Sequence, residues 1–232
     1  MAAASCRAIA LAALPRTIVA DVSDFQGFPV AALDFYDDLE VDNTKSFWEA
    51  HKHIYKESVH APMRALTDEL AEEFGTAKIF RPYRDVRFSK DKLPYKTHQG
   101  AFVAVAPQTG YYVEVSPRGI RTGGGCYWFE PPRLAAFRDA IVHDHYGLDL
   151  EKRLAVAEKK GYEVTGDRLK TAPRGFDKEH PKIELLRYKS MHLGRTIGFE
   201  PIIHTPDLVD EVKKDWRAVR PLVEWIAEHA IA

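Results

Sequence analysis

The chain has 232 residues and a formal net charge of −1, with 45% hydrophobic and 29% charged residues. This length and composition favour one globular domain with a core of its own. The near-neutral charge argues against nucleic acid as a partner, and no stretch approaches the roughly 18 consecutive apolar residues of a membrane span. Cys6 and Cys126 have neither zinc-site spacing nor a disulfide pattern. We therefore expect a cytoplasmic protein with no metal, no cofactor and no membrane partner.

The N-terminal residues 1–24 are rich in alanine and contain a short apolar run, Ala8 to Leu14, which Pro15 and Arg16 end. A run of this length is at the lower limit for a secretory signal peptide, which is the alternative interpretation. The sequence therefore predicts a disordered leader over residues 1–24 and one folded domain over residues 25–232.

Three helices are predicted at the start of the domain. Pro29 can open the first helix, because apolar residues recur at helical spacing in the residues that follow it. Asn43 is a suitable N-cap for the second helix. Pro62 interrupts that helix and can begin a third, which Gly75 ends.

Short strands are predicted next. Val86 and Phe88 alternate with polar neighbours, which indicates a strand from Asp85 to Ser89. Further strands are predicted over Gly100–Ala106 and Tyr111–Val115 and through Ile120 and Thr122, with turns at Thr109-Gly110 and Pro117–Gly119. Tight turns without crossover segments favour an antiparallel meander.

The last hundred residues predict mainly helices. The predicted features are helices from Pro131 and over Asp149–Lys160, a small hairpin at Gly166-Asp167, a short helix through Ile183, and a long final helix capped by Thr205, with Pro206 at its first position and a bend at Pro221. Helices followed by strands and then helices indicate the α+β class. We predict a β-meander packed against N- and C-terminal helices in a single domain.

Residues 81–98, which we call the basic segment, carry most of the candidate chemistry. They contain six bases against two acids, a local charge of +4, whereas residues 31–75 contain eleven acids against four bases, a local charge of −7. The candidate ligand-binding residues here are Arg84, Arg87, Ser89, Lys90, Lys92, Tyr95 and Lys96. Clustered guanidinium and ammonium groups attract phosphate or carboxylate. Ion pairing with Asp85, Asp91 and the acidic helices is the alternative.

Two further groups are candidates for a binding site. In the run Gly123–Gly125, Gly124 and Gly125 with the nearby Tyr127 could bring backbone N–H groups to an anion; a bulge or tight packing is the alternative. A second cationic group contains Arg174, His180, Arg187 and Lys189. Together with Arg84 and Arg87 it would form a two-sided anion clamp, if folding brings the two groups together.

The segment Arg84-Asp-Val-Arg-Phe-Ser-Lys-Asp-Lys-Leu-Pro-Tyr-Lys-Thr-His98 resembles the hallmark of the family called domain of unknown function 2461. Three other stretches are similar to that family: residues 43–48, residues 123–127, and residues 173–189. The resemblance covers about residues 25–230. It implies that the basic segment is the family's signature, and it implies no activity, substrate or cofactor.

The sequence therefore predicts a binding module, or an enzyme of unknown reaction, that holds a small anionic ligand in a basic pocket. An interaction or scaffold protein that docks an acidic surface is one alternative. A metal-independent phosphoester or nucleotide hydrolase is another, although no nucleophile is visible. The residue pattern leaves the catalytic residues and the oligomeric state open.

Overall fold

A computed structural model describes residues 24–87 and 90–231. Most of the leader (residues 1–23), Phe88 and Ser89 lie outside the described residues, so the predictions made for them stay predictions. The helices are α1 (Val30–Val41), α2 (Lys45–Ile54), α3 (Ala61–Phe74), α4 (Pro131–Val142), α5 (Asp144–Lys159), α6 (Ile183–Leu186) and α7 (Leu208–His229). A π-helical stretch, Tyr55–His60, joins α2 to α3, and a 3₁₀ turn, Pro201–His204, precedes α7.

One antiparallel sheet accompanies these helices. Its strands are β1 (Ala77–Ile79), β2 (Gln99–Ala106), β3 (Thr109–Ser116), β4 (Gly119–Cys126), β5 (Glu163–Thr165) and β6 (Met191–Gly198). Their spatial order is β1-β2-β3-β4-β6-β5. The predicted α+β class and meander are confirmed, since β2, β3 and β4 are consecutive neighbours.

The core lies between the sheet and the helices, chiefly α7. Trp216 on α7 is fully buried, stacks on Tyr111 of β3 at 5.3 Å and donates its indole N–H to the backbone oxygen of Tyr112. Gly124 on β4 allows α7 to approach, because a Cβ there would lie 2.9 Å from a methyl of Val223 and 3.0 Å from a methyl of Val219. One continuous cluster of buried residues extends from Phe25 to Ala230, which agrees with a single domain.

Several local predictions were wrong. Thr44, not Asn43, caps α2 by accepting the Phe47 N–H. The turn between β2 and β3 is at Pro107-Gln108, because Thr109 already belongs to β3. The final helix begins at Leu208 instead of at Pro206.

The hairpin predicted at Gly166-Asp167 was also wrong. β5 pairs with β6, a strand that the sequence interpretation missed, and not with the residues just after the turn. The strand predicted from Asp85 does not form over its described residues, and the β-type pairing described near it is an isolated bridge between Tyr83 and Tyr95. The side chain of Arg87 bonds Asp85, two residues earlier in the chain.

Candidate functional site

The sheet face turned away from α7 contains a cavity of about 260 Å³, which we call the glycine-floored cavity. Side chains alternate along a strand, so Gly123 and Gly125 face away from α7 while Gly124 faces it. Gly123 pairs with Gly194 of β6, and Gly125 with Gly110 of β3. Neighbouring glycines on three strands therefore leave this part of the sheet without side chains.

Aromatic side chains surround the glycine floor. Phe102 of β2 and Tyr112 of β3 are directly opposite each other and border the cavity. Tyr127 meets Phe102 edge to face at 5.5 Å and is 59% exposed. The centroids of the Phe80 and Tyr112 rings lie 6.5 Å apart. The cavity thus has a flat floor and aromatic walls, a combination that suits a flat apolar ring.

Few polar side chains border this cavity. Arg121 of β4 is exposed at its rim, and His192 of β6 lies beside Gly125. Burial, followed by the nearby Arg121, lowers the pKa of His192. The Tyr112 hydroxyl donates to Glu114 at 2.5 Å, and burial followed by this carboxylate raises the tyrosine pKa far above its usual range. Tyr112 is therefore a protonated donor at neutral pH.

The arginines of the basic segment form ion pairs with its own acids. Arg84 contacts Asp91 at 2.5 Å, and Arg87 bonds Asp85 through both Nε and Nη2, at 2.9 and 2.6 Å. These hydrogen bonds hold the pKa of Asp85 below its ordinary value. Lys92 donates to the backbone oxygen of Val86, and Lys90 is exposed. The alternative of local ion pairing therefore accounts for two of the predicted cations.

Lys96 has a different environment. Its ammonium group lies over the Phe80 ring, 5.1 Å from the centroid, and burial followed by Arg81 lowers its pKa. Lys96, Arg84 and His98 line a shallow hollow beside the glycine-floored cavity, and Phe80 lies between the two. Burial is the main cause that lowers the pKa of His98, against the opposing effect of Glu114. Lys96 is thus a cation of the basic segment that contacts the aromatic wall through Phe80.

The basic segment is anchored to α2 through Tyr95. The Asn43 amide donates to the Tyr95 backbone oxygen and accepts its N–H, at 3.1 and 3.0 Å. The Trp48 indole stacks on the Tyr95 ring at 4.4 Å, with only 10° between the planes. Both partners are buried. The early stretch at residues 43–48 and the Tyr95 region therefore form one structural unit, which places Tyr95 in the core and away from the surface.

The second cationic group lies at the far end of the sheet. Lys189 precedes Met191, which pairs with Cys126 at the end of β4, while Lys96 precedes Gln99 at the start of β2. Eight-residue strands separate these two ends, about 23 Å at 3.3 Å per residue. The two-sided clamp is therefore wrong for a small ligand.

Two members of this second group, Arg187 and Lys189, pair with nearby groups. Arg187 bonds Glu184 and the backbone oxygen of Leu169, Lys189 lies 3.8 Å from Asp167, and Arg174 is exposed.

The chain matches the family model described as conserved hypothetical protein (DUF2461) over residues 31–225. The protein belongs to this family. Comparison with curated proteins and with solved structures found no match. Within the part of the chain that the structure describes, no three His, Cys, Asp or Glu side chains are grouped so that they could hold a metal ion. Among the helices described there, none has both the length and the hydropathy of a membrane-spanning segment.

Of the residues predicted as ligand-binding in this DUF2461 member, Gly124, Gly125 and Tyr127 line the glycine-floored cavity. The sequence interpretation missed the larger side chains that also line it, which are Phe80, Phe102, Tyr112, Arg121 and His192. The available signal was the alternation within β2 to β4, which puts Phe102, Tyr112, Arg121 and Gly123 on one face. The contribution of β6 had no such signal, since that strand was not predicted.

Proposed function

We propose that this protein binds a small anionic molecule that carries a flat apolar ring, with the ring over the glycine floor and the anionic group at Arg121. The glycine-floored cavity carries this proposal, because it combines aromatic walls with a cationic side chain at the rim. Sites for small molecules are typically apolar and contain a few polar groups that fix the orientation of the ligand.

The glycines support a ring-binding surface in a specific way. A Cβ on Gly123 would lie 2.2 Å from the Leu193 oxygen, and a Cβ on Gly125 2.3 Å from the Met191 oxygen. Contacts this short require the strands to move, so these positions keep the floor both flat and closely paired. Phe102, Tyr112 and Tyr127 then offer ring faces and edges to a flat ligand.

Arg121 supports the anionic part of the proposal. Among residues 24–87 and 90–231, no acidic oxygen lies within 4.0 Å of its guanidinium nitrogens. A planar guanidinium can hold a carboxylate or phosphate through two parallel hydrogen bonds. Arg87 already makes two such bonds to Asp85, and Arg84 makes one hydrogen bond to Asp91. The proposal thus keeps the anionic ligand that the sequence predicts and assigns its main contact to β4.

Isothermal titration calorimetry with three simple compounds tests the proposal. We expect 3-phenylpropionate to bind at least about tenfold more tightly than 3-phenylpropanol or propionate, because each of these lacks one half of the recognised chemistry. Arg121→Gln should lower the affinity for 3-phenylpropionate by about tenfold and leave the affinity for 3-phenylpropanol unchanged. Tyr127→Ala should weaken both compounds.

Arg64→Gln is the matched control, since Arg64 is an exposed arginine on α3, on the helical side of the sheet. It should bind 3-phenylpropionate like the wild type. The proposal is overturned if the wild type does not bind 3-phenylpropionate at millimolar concentration, or if Arg121→Gln binds it as tightly as the wild type does.

A further inference from the structure

A second cavity, of about 280 Å³, lies beside the first on the same sheet face, and we call it the polar cavity. Its charged side chains come from β3, from the turn that follows, and from β4, β5 and β6, and they are Glu114, Arg118, Arg121, Glu163 and Arg195. Arg121 and Gly194 border both cavities. A ligand whose ring occupies the glycine-floored cavity therefore has its polar end beside the polar cavity.

The strand register places these charges on one face. Glu114 is opposite Arg121, and Glu163 of β5 is opposite Gly194, which belongs to the face turned away from α7. Arg195 also borders the polar cavity, but its guanidinium bonds the buried Asp215 of α7 at 2.7 Å and also contacts Glu211. Its charge is therefore neutralised on the helical side of the sheet.

The remaining charges are of both signs. The Tyr112 hydroxyl already donates to Glu114. Glu163 is exposed and, within the described residues, has no cationic nitrogen within 4.0 Å; Arg121 likewise has no acidic partner there. Glu163 and Arg121 are thus a carboxylate and a guanidinium that border the same cavity, together with Glu114 and Arg118, without pairing with each other. A molecule with an anionic and an ammonium group close together complements both.

We propose that the ligand is a small aromatic zwitterion of the amino-acid type, with its carboxylate at Arg121, its ammonium group at Glu163 and its ring over the glycine floor. This inference rests on the proposed function and specifies the ligand class for the same site. Both polar contacts are charge-assisted hydrogen bonds, which are shorter and stronger than neutral ones.

Calorimetry with L-phenylalanine, N-acetyl-L-phenylalanine and 3-phenylpropionate tests this inference. L-phenylalanine should bind about tenfold more tightly than 3-phenylpropionate, because it adds the ammonium contact. N-acetylation removes the ammonium charge and should abolish that gain. Glu163→Gln should lower the affinity for L-phenylalanine by about tenfold and leave the affinity for 3-phenylpropionate unchanged. Glu179→Gln, a change at an exposed glutamate in the loop before α6, should leave both affinities at the wild-type value.

The outcomes separate the two proposals. If 3-phenylpropionate binds but L-phenylalanine binds no more tightly, or if Glu163→Gln leaves the affinity for L-phenylalanine unchanged, the zwitterion is overturned and the proposed function stands. If 3-phenylpropionate does not bind the wild type at all, both proposals are overturned.

Discussion

The basic segment and the glycine-floored cavity differ in how their residues relate to a binding site. In the basic segment, two of the conspicuous arginines form ion pairs with acids of the same segment, Arg84 with Asp91 and Arg87 with Asp85. In the cavity, residues without side chains on three strands create space that no single stretch of sequence reveals. A cluster of charges can thus be structural, while a concave site can arise where side chains are missing.

The anchor of the basic segment gives the largest expected effect. Trp48→Ala removes a buried indole that stacks on Tyr95, and we expect it to lower the free energy of unfolding by about 3–5 kcal/mol. Urea unfolding measures this change, and trypsin should cleave the variant faster at Lys92 and Lys96. Tyr83→Ala, which removes a ring that is 49% exposed, is the control and should lower the free energy of unfolding much less. Equal stability of the two variants would contradict a structural role for the anchor.

Gly124→Ala tests the helical side of the glycine run. The added methyl would contact Val219 and Val223 of α7, and overpacking of this kind typically costs about 1–3 kcal/mol. Thermal unfolding measures the loss, which should shrink when Val223→Ala provides room. A Gly124→Ala variant as stable as the wild type would show that α7 does not depend on this close approach.

Glu73→Gln compares a long-range ion pair with the local ones of the basic segment. Glu73 on α3 bonds Arg217 and Arg220 on α7, and these hydrogen bonds lower its pKa to about 2. A carboxyl pKa that is lower in the folded state stabilises the fold above the unfolded pKa, about 4.3 for glutamate, and this contribution disappears as the pH falls toward 2. We expect Glu73→Gln to cost about 1 kcal/mol at pH 7.

The difference between this variant and the wild type should therefore narrow steadily from pH 5 to pH 2. Urea unfolding at several pH values measures it. A difference that stays constant over this range would contradict the assigned ion pair.

Arg87→Gln should have the smallest effect on stability. Its pair with Asp85 is exposed and joins residues only two positions apart, and exposed ion pairs of this kind contribute little to stability. We expect no measurable change in melting temperature at pH 7 and no change in the affinity for 3-phenylpropionate. A loss of affinity as large as that of Arg121→Gln would return the anion site to the basic segment.

Sequence patterns predicted elements whose signals are local. The strands from Gly100 and Tyr111 and the helices from Pro29 and Pro131 formed, because apolar periodicity and proline act within a few residues. The cap of α2 was misassigned because Asn43 and Thr44 both suit an N-cap, and the long-range bond of Asn43 to Tyr95 decides between them. The local sequence around Asn43 cannot predict a contact with a residue 52 positions away.

The missed strand β6 had the largest consequence for the candidate site. Met191, Leu193 and Ile197 follow the alternation of a buried face, but Arg195 occupies the core side between them. Its charge is neutralised by Asp215, 20 residues later in the chain. Because that partner is distant in sequence, a charged residue on the core side interrupted the apolar alternation that predicts a strand. Without β6, neither the pairing of Gly123 with Gly194 nor the place of His192 could be predicted.

NMR titration of the ¹⁵N-labelled protein with 3-phenylpropionate tests most directly whether ligand binds the glycine-floored face. The predicted result is that the largest chemical-shift changes occur at the backbone amides of Gly110, Gly123, Gly125 and Gly194. Largest changes at the amides of Lys92, Lys96 and Thr97, or no changes at millimolar ligand, would contradict the account.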